Sequence, residues 1–172
     1  AAEFTQYPST SGDKVASICG FASGKLLLSI FAQGIFIFDP VTGNKQPFTI
    51  IDKEVNERLC LHGNTVNVYR NTPNTILLLG NHVYCYHLKE KQFSIVSEEK
   101  GINIIEGSLK AIACDGHSTY LNDIKHVYEL DNHSNKLRVL FTAQDDMNIN
   151  SVSMDESGCF WIGSNLGLVS YR

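Results

Sequence analysis

Cys85 and His87, two residues apart on one face of a strand, are of types that could form a thiolate–imidazole pair or half of a metal site. A closed metal site takes about four ligands and this pair supplies two, so it reads as a core cysteine beside a rim histidine. The other cysteines, Cys19, Cys60, Cys114 and Cys159, form no C-x-x-C pair, which argues against a zinc knuckle, a thioredoxin-like motif and a disulfide-dense scaffold. With Cys85 they make five, an odd total that leaves at least one free thiol. The chain holds no G-x-S-x-G or H-E-x-x-H motif and no G-x-G-x-x-G or G-K-[ST] phosphate loop. No catalytic residue, cofactor or metal is expected. Asn132-His133-Ser134 fits the glycosylation sequon but coincides with a hairpin turn, where Asn is favoured for its own reasons.

Any site must therefore be built by the fold. At 172 residues, 43% hydrophobic and 19% charged, the chain can bury a sizeable core. Its net charge is −4 with no run of Lys or Arg longer than a pair, so no nucleic-acid partner is expected. The most apolar stretch, Leu26 to Phe38, is broken by Ser29, Gln33 and Gly34 and falls short of the roughly 20 residues a membrane helix needs.

Strand-like runs dominate: Leu26 to Phe31, Ile35 to Phe38, Ile76 to Leu79, Val83 to Tyr86, Val127 to Leu130 and Cys159 to Ile162, bounded by Gly, Asn, Asp or Pro. The segment Asp52 to Leu59 reads as a loop with a helical turn. A motif of bulky strand, tight turn and second strand recurs four times. The copies start at Leu27-Leu28-Ser29, Leu78-Leu79-Gly80, Tyr120-Leu121-Asn122 and Trp161-Ile162-Gly163, with turn-end residues Gly34, His82, His126 and Gly167. The intervals of 48, 44 and 41 residues fit the roughly 40–50 of a four-stranded propeller blade. Asp39 to Asn44, Asp131 to Asn135 and Asp155 to Gly158 supply the turns.

Ile35 to Phe38 and Ile76 to Leu79 are apolar on both faces, unlike the alternating strands of a two-sheet sandwich. Without helices, the double cover must come from other sheets, as in stacked blades. The expected fold is all-β: a β-propeller fragment of about four four-stranded blades, an open arc or closed by self-association. Its parts are an outer strand of a preceding blade (4–7), blades at 8–51, 64–97 and 108–142, and an incomplete blade at 149–172. Open blade edges would favour self-association. On one face of such a disc, hairpin tips at Gln33, Asn81, Asp123 and Asn165 would meet connectors near His62, Asn64 and Asn148. These seven are the candidate ligand-binding residues, able to bond hydroxyls.

The last unit, Ser151 through Leu168, closely resembles the two-component regulator propeller repeat: an inner strand, D-x-x-G, a bulky residue, W-I-G-T, a turn, then G-L and an aromatic. The first unit resembles a decayed copy, ending in Phe38-Asp39-Pro40-Val41-Thr42-Gly43. The middle units share the rhythm, with Leu78 and Tyr120 in place of the Trp. The resemblance implies a piece of the periplasmic sensor of a hybrid two-component histidine kinase, with an oligosaccharide as ligand. It further implies that membrane attachment and kinase chemistry belong to other parts of the parent. The fragment itself would not be an enzyme.

Ser153-x-Asp155-x-x-Gly158-x-x-Trp161 is also one residue longer than the Asp-box of sialidase-type propellers, a structural element there. A glycosidase would need converging arginines, yet Arg58, Arg70, Arg138 and Arg172 sit at unlike positions in their units. Trp161, mid-strand, reads as core and not as a sugar platform. A propeller that scaffolds protein partners and an Asp-box glycoside hydrolase are the alternatives to a sensor.

Overall fold

A computed structural model describes residues 7, 12–48, 66–80, 82–104 and 109–172. Of the expected strand at 4–7 only Tyr7 lies among these, and the start (8–11) and end (49–51) of the first expected blade and the turn at 52–59 lie outside them. The chain divides into two compact units, Ala1–Val68 and Tyr69–Arg172.

The first unit holds an antiparallel sheet of β1 (Val15–Gly20), β2 (Leu26–Ile30), β3 (Gly34–Phe38) and β4 (Lys45–Pro47), paired in chain order. The β2–β3 turn needs left-handed backbone, taken by Ala32 (φ 58°) and Gly34 (φ 105°). At the β3–β4 turn the Asp39 carboxylate accepts the N–H groups of Val41 (2.9 Å) and Thr42 (3.2 Å). Tyr7 lies edge-on to Phe38 with ring centroids 4.9 Å apart.

The second sheet comprises β5 (Asn67–Thr72), β6 (Thr75–Leu79), β7 (Val83–His87) and β8 (Gln92–Ile95). The chain then crosses as β9 (Ser97–Glu98) to the edge of a third sheet. That sheet is β10 (Lys110–Cys114), β11 (Ser118–Asn122), β12 (His126–Asp131) and β13 (Lys136–Thr142), with β9 parallel to β13. A fourth sheet contains β14 (Ile149–Met154), β15 (Phe160–Ser164) and β16 (Gly167–Tyr171). No α-helix occurs among the described residues.

Within the second unit the third sheet is sheltered on both faces. Alternation along a strand sends Leu121, Tyr128 and Leu130 one way, onto Leu77, Leu79, Val83 and Cys85 of the second sheet. It sends Tyr120, Val127 and Phe141 the other way, onto Ile149, Phe160 and Ile162 of the fourth. Tyr120 meets Phe160 at 5.1 Å between centroids, and Phe141 meets Tyr171 at 5.8 Å. Each fully buried leucine contributes about 1.5–3 kcal/mol. Sheet stacked on sheet is the packing of propeller blades, and the fold is an all-β propeller fragment.

The strand registers correct one repeat assignment. Ser29 pairs with Ile35, Leu79 with Val83, Asn122 with Val127 and Gly163 with Leu168, so these are equivalent pairs. Leu77, not Leu78, therefore stands where Trp161 stands. The β6–β7 tip takes in Gly80, whose N–H donates to the His82 carbonyl at 3.1 Å, one residue more than the sequence alignment allotted. Trp161 is a second correction: it is 43% exposed, on the face of β15 opposite to buried Phe160 and Ile162. A strand's own pattern does not say whether a neighbour covers its far side.

Asn132 is committed to structure. Its side-chain oxygen accepts from Asn71 Nδ2 at 3.0 Å and from Thr119 Oγ1 at 2.7 Å, tying the second sheet to the third.

Candidate functional site

The site assembles where the β11–β12 and β15–β16 hairpin tips meet the β13–β14 connector. Of the seven candidate residues, the second unit brings Asp123, Asn148 and Asn165 together here. Ile149 N–H donates to the Ile124 carbonyl at 2.8 Å, and Asn148 N–H donates to Asn165 Oδ1 at 2.6 Å. Asn165 Nδ2 donates to the Asp146 carbonyl at 2.9 Å, so that amide is used at both ends. Lys125 Nζ donates to the carbonyls of Asp145 (2.9 Å) and Met147 (2.7 Å). Gln33, in the first unit, donates from Nε2 to Asp13 Oδ1 at 2.8 Å. His62, Asn64 and Asn81 lie outside the described residues.

Asp123 is fully buried, not a rim group facing ligand. Its carboxylate accepts from Lys125 N (2.7 Å), His126 N (2.6 Å) and the Tyr128 hydroxyl (2.7 Å), because the tip's N–H groups need an acceptor. Burial, followed by donation to Asp123, pushes the Tyr128 phenol far above its ordinary range. His126 Nδ1 lies 3.1 Å from Asp123 Oδ1 and 3.1 Å from the Tyr128 hydroxyl, and its side chain is partly exposed.

Sequence reasoning missed the partner of this arrangement one blade earlier. His82 occupies the same turn-end position as His126, and its Nδ1 lies 3.1 Å from Glu98 Oε1. Each imidazole is thus oriented by a carboxylate that accepts from Nδ1–H. The recurrence of His at one repeat position was the available signal.

Glu98 also borders a groove of about 460 Å³ beside β9, β12 and β13. Glu129 and Asp131 stand opposite Arg138 and Lys136 there. Arg138 Nε donates to Glu129 Oε2 at 2.6 Å, while the Ser118 hydroxyl donates to Oε1 at 2.7 Å. Both charge signs line this groove, which suits a ligand rich in hydrogen-bonding groups.

Cys85 is in the core, and burial raises its thiol to about 11, so it is neither a thiolate nucleophile nor a ready metal ligand at neutral pH. His87 Nε2 lies 3.0 Å from the Ser94 hydroxyl at the strand end. Among the described residues, no three His, Cys, Asp or Glu side chains group as metal ligands. The arrangement holds and orients polar groups at the hairpin tips.

No family profile and no curated relative matches the sequence. Solved structures do. The extracellular domain of BT4673, described as a hybrid two-component system of B. thetaiotaomicron, superposes with a TM-score of 0.67 at 16% identity, over 100% of this chain and 22% of that one. The extracellular domain of BT3049, a protein of the same description and organism, gives 0.58 at 14% identity, over 94% and 29%. A streptogramin B lyase gives 0.63 at 12% identity, over 96% and 57%. The likeness is one of fold.

The chain thus spans about a fifth of the extracellular domain of BT4673. Its similarity to extracellular domains of hybrid two-component systems agrees with the class that the repeat resemblance named. The repeat's key turn has a physical explanation here. Asp155 Oδ1 accepts from Ser157 N (2.9 Å) and Cys159 N (3.0 Å), and Oδ2 accepts from Trp161 Nε1 at 2.8 Å. One carboxylate ties the D-x-x-G turn to the W-I-G strand.

Proposed function

We propose that this chain is a ligand-recognition part of a propeller that senses outside the cytoplasm for a hybrid two-component signalling protein. The reading is carried by whole-chain superposition on the extracellular domain of BT4673. The Asp155–Trp161 bond accords with it by joining the two segments, D-x-x-G and W-I-G, on which the resemblance rests. Oligosaccharide is the proposed ligand class. His82 and His126 at two hairpin tips, and separately the groove lined by Glu98, Glu129, Asp131, Lys136 and Arg138, present donors and acceptors suited to sugar hydroxyls. The fragment recognises its ligand without turning it over, and a ligand signals by binding two chain arrangements unequally.

The open reading frame containing this chain is expected to encode a membrane helix and a histidine kinase downstream; a frame without a kinase overturns the sensor reading. Calorimetric titration with an oligosaccharide panel is expected to give saturable heat that weakens at least tenfold in His82→Ala with melting unchanged. Hydrolysis of any panel member would overturn the non-enzymatic reading.

A further inference from the structure

Two hairpin tips of the second unit hold successive residues of the β13–β14 connector. Ile149 N–H donates to the Ile124 carbonyl at 2.8 Å, and Asn165 N–H donates to the Asn148 carbonyl at 3.2 Å. Ile124 and Leu166 are therefore carried beside the same short stretch of chain, 40% and 60% exposed. Turn positions favour Gly, Asn, Asp and Ser, and a bulky apolar side chain left in water there adds nothing to the fold. The first sheet makes the same choice in its own β2–β3 tip, where Phe31 is 52% exposed. Bulky apolar side chains at three tips of one repeat form a pattern, unlike the singly scattered residues of an ordinary surface.

Charge identifies the occupant. The connector exposes Asp145 and Asp146, and neither carboxylate has a hydrogen bond or ion pair among the described residues. Lys125, the neighbouring cation, is turned to the main chain, where its ammonium donates to the carbonyls of Asp145 (2.9 Å) and Met147 (2.7 Å). Two uncompensated carboxylates thus stand beside two exposed aliphatic side chains. A neutral sugar has no charge to set against them, and an anionic lipid surface is repelled by them. Beyond the sensor reading, and independently of it, we infer that this end of the third and fourth sheets docks a segment of another polypeptide in which a lysine or arginine adjoins an aliphatic or aromatic side chain. The cation of that segment meets Asp145 and Asp146, and its apolar neighbour lies against Ile124 and Leu166.

The probe is a capped pentapeptide of alternating lysine and leucine, titrated into the isotope-labelled 172-residue chain and followed by amide chemical shifts. Saturable shifts centred on Ile124, Lys125, Asp145, Asp146 and Leu166 are expected, with a dissociation constant of about 1 mM or below that rises with salt. Asp145→Asn combined with Asp146→Asn, and separately Leu166→Ser, should each raise that constant about fivefold or more with melting unchanged, since all three positions are exposed. Should Leu166→Ser lower the melting temperature, Ile124→Ser takes its place. A peptide with glutamate for lysine should leave these amides unmoved, and one with serine for leucine should bind more weakly. Shifts centred instead on the groove at Glu98, Glu99, Glu129 and Asp131, or a serine peptide that binds as tightly, would reduce the contact to charge alone and overturn the inference. The absence of saturable shifts, an asparagine pair that binds like wild type, or an oligosaccharide that moves the same amides more strongly than the peptide would also overturn it.

Discussion

The third and fourth sheets are two copies of one repeat in different surroundings. Tyr120, Leu121 and Asn122 match Trp161, Ile162 and Gly163 along the strand, and Leu121 and Ile162 are both fully buried against the preceding sheet. The copies part on the far face, where the third sheet meets the fourth and the fourth meets solvent. A blade is therefore apolar in anticipation of a neighbour, and the energy of its side chains is decided by the cover and not by the repeat.

Core truncation should separate the two surroundings most widely. Leu121→Ala is expected to cost about 2–5 kcal/mol through lost burial and the cavity left behind. Leu168→Ala, at an equally apolar position, should stay within about 0.5 kcal/mol at concentrations where the chain is monomeric. Urea unfolding followed by circular dichroism reads both. Equal losses would mean that the outer face of the fourth sheet is covered within one copy.

Hairpin chemistry gives the next effect. Tyr128→Phe removes the hydroxyl that donates to buried Asp123, and leaving that carboxylate short of a donor should cost about 1–3 kcal/mol. Trp161→Phe removes the corresponding donor to Asp155 in the open, and its loss should be smaller because water replaces the indole N–H. Thermal melts of the two variants at pH 7 rank them directly.

Much of this was legible in the sequence. Apolar runs punctuated by Asp39, Asp131 and Asp155 located the hairpins, since a turn aspartate has one physical use there: capping N–H groups. What escaped depended on neighbours. Trp161 reads as core from its own strand, and only the far side decides otherwise. Leu77 was displaced by Leu78 because the length of a tip leaves no mark on composition. Asp123 looks the same in sequence whether it turns inward to cap or outward to bind. The His82–Glu98 pair needed β9, a two-residue crossing too short to carry any periodic signal.

Acid should weaken both sheets. Ser118 and His117 N–H groups hold the Asp115 carboxyl below its ordinary 3.8, and those of Ser134 and His133 do the same for Asp131. In the fourth sheet the Ser157 hydroxyl and the Trp161 indole lower Asp155 further. A carboxyl whose folded value is depressed stabilises the fold above its unfolded value and loses that contribution as pH falls through the folded one. Melting temperature is thus expected to be flat above pH about 5 and to fall below pH about 4. Asp155→Asn should melt lower than wild type at pH 7 and converge with it in acid. A gap that persists unchanged at low pH would mean that the charge on Asp155 plays no part in fastening its turn.

The smallest effect lies at Gly163, where the third sheet has Asn122. A Cβ there would come 2.7 Å from Ser151 Oγ, too close unless the serine turns away. Ser151 is exposed and can do so by changing rotamer. Gly163 has no positive φ to protect, and replacing glycine in a strand gains about 0.5–1 kcal/mol from the unfolded chain. Gly163→Ala should therefore shift stability by less than about 0.5 kcal/mol in the monomer. Urea titration of the variant reads this, and a loss as large as that of a core truncation would mean that Ser151 cannot turn away.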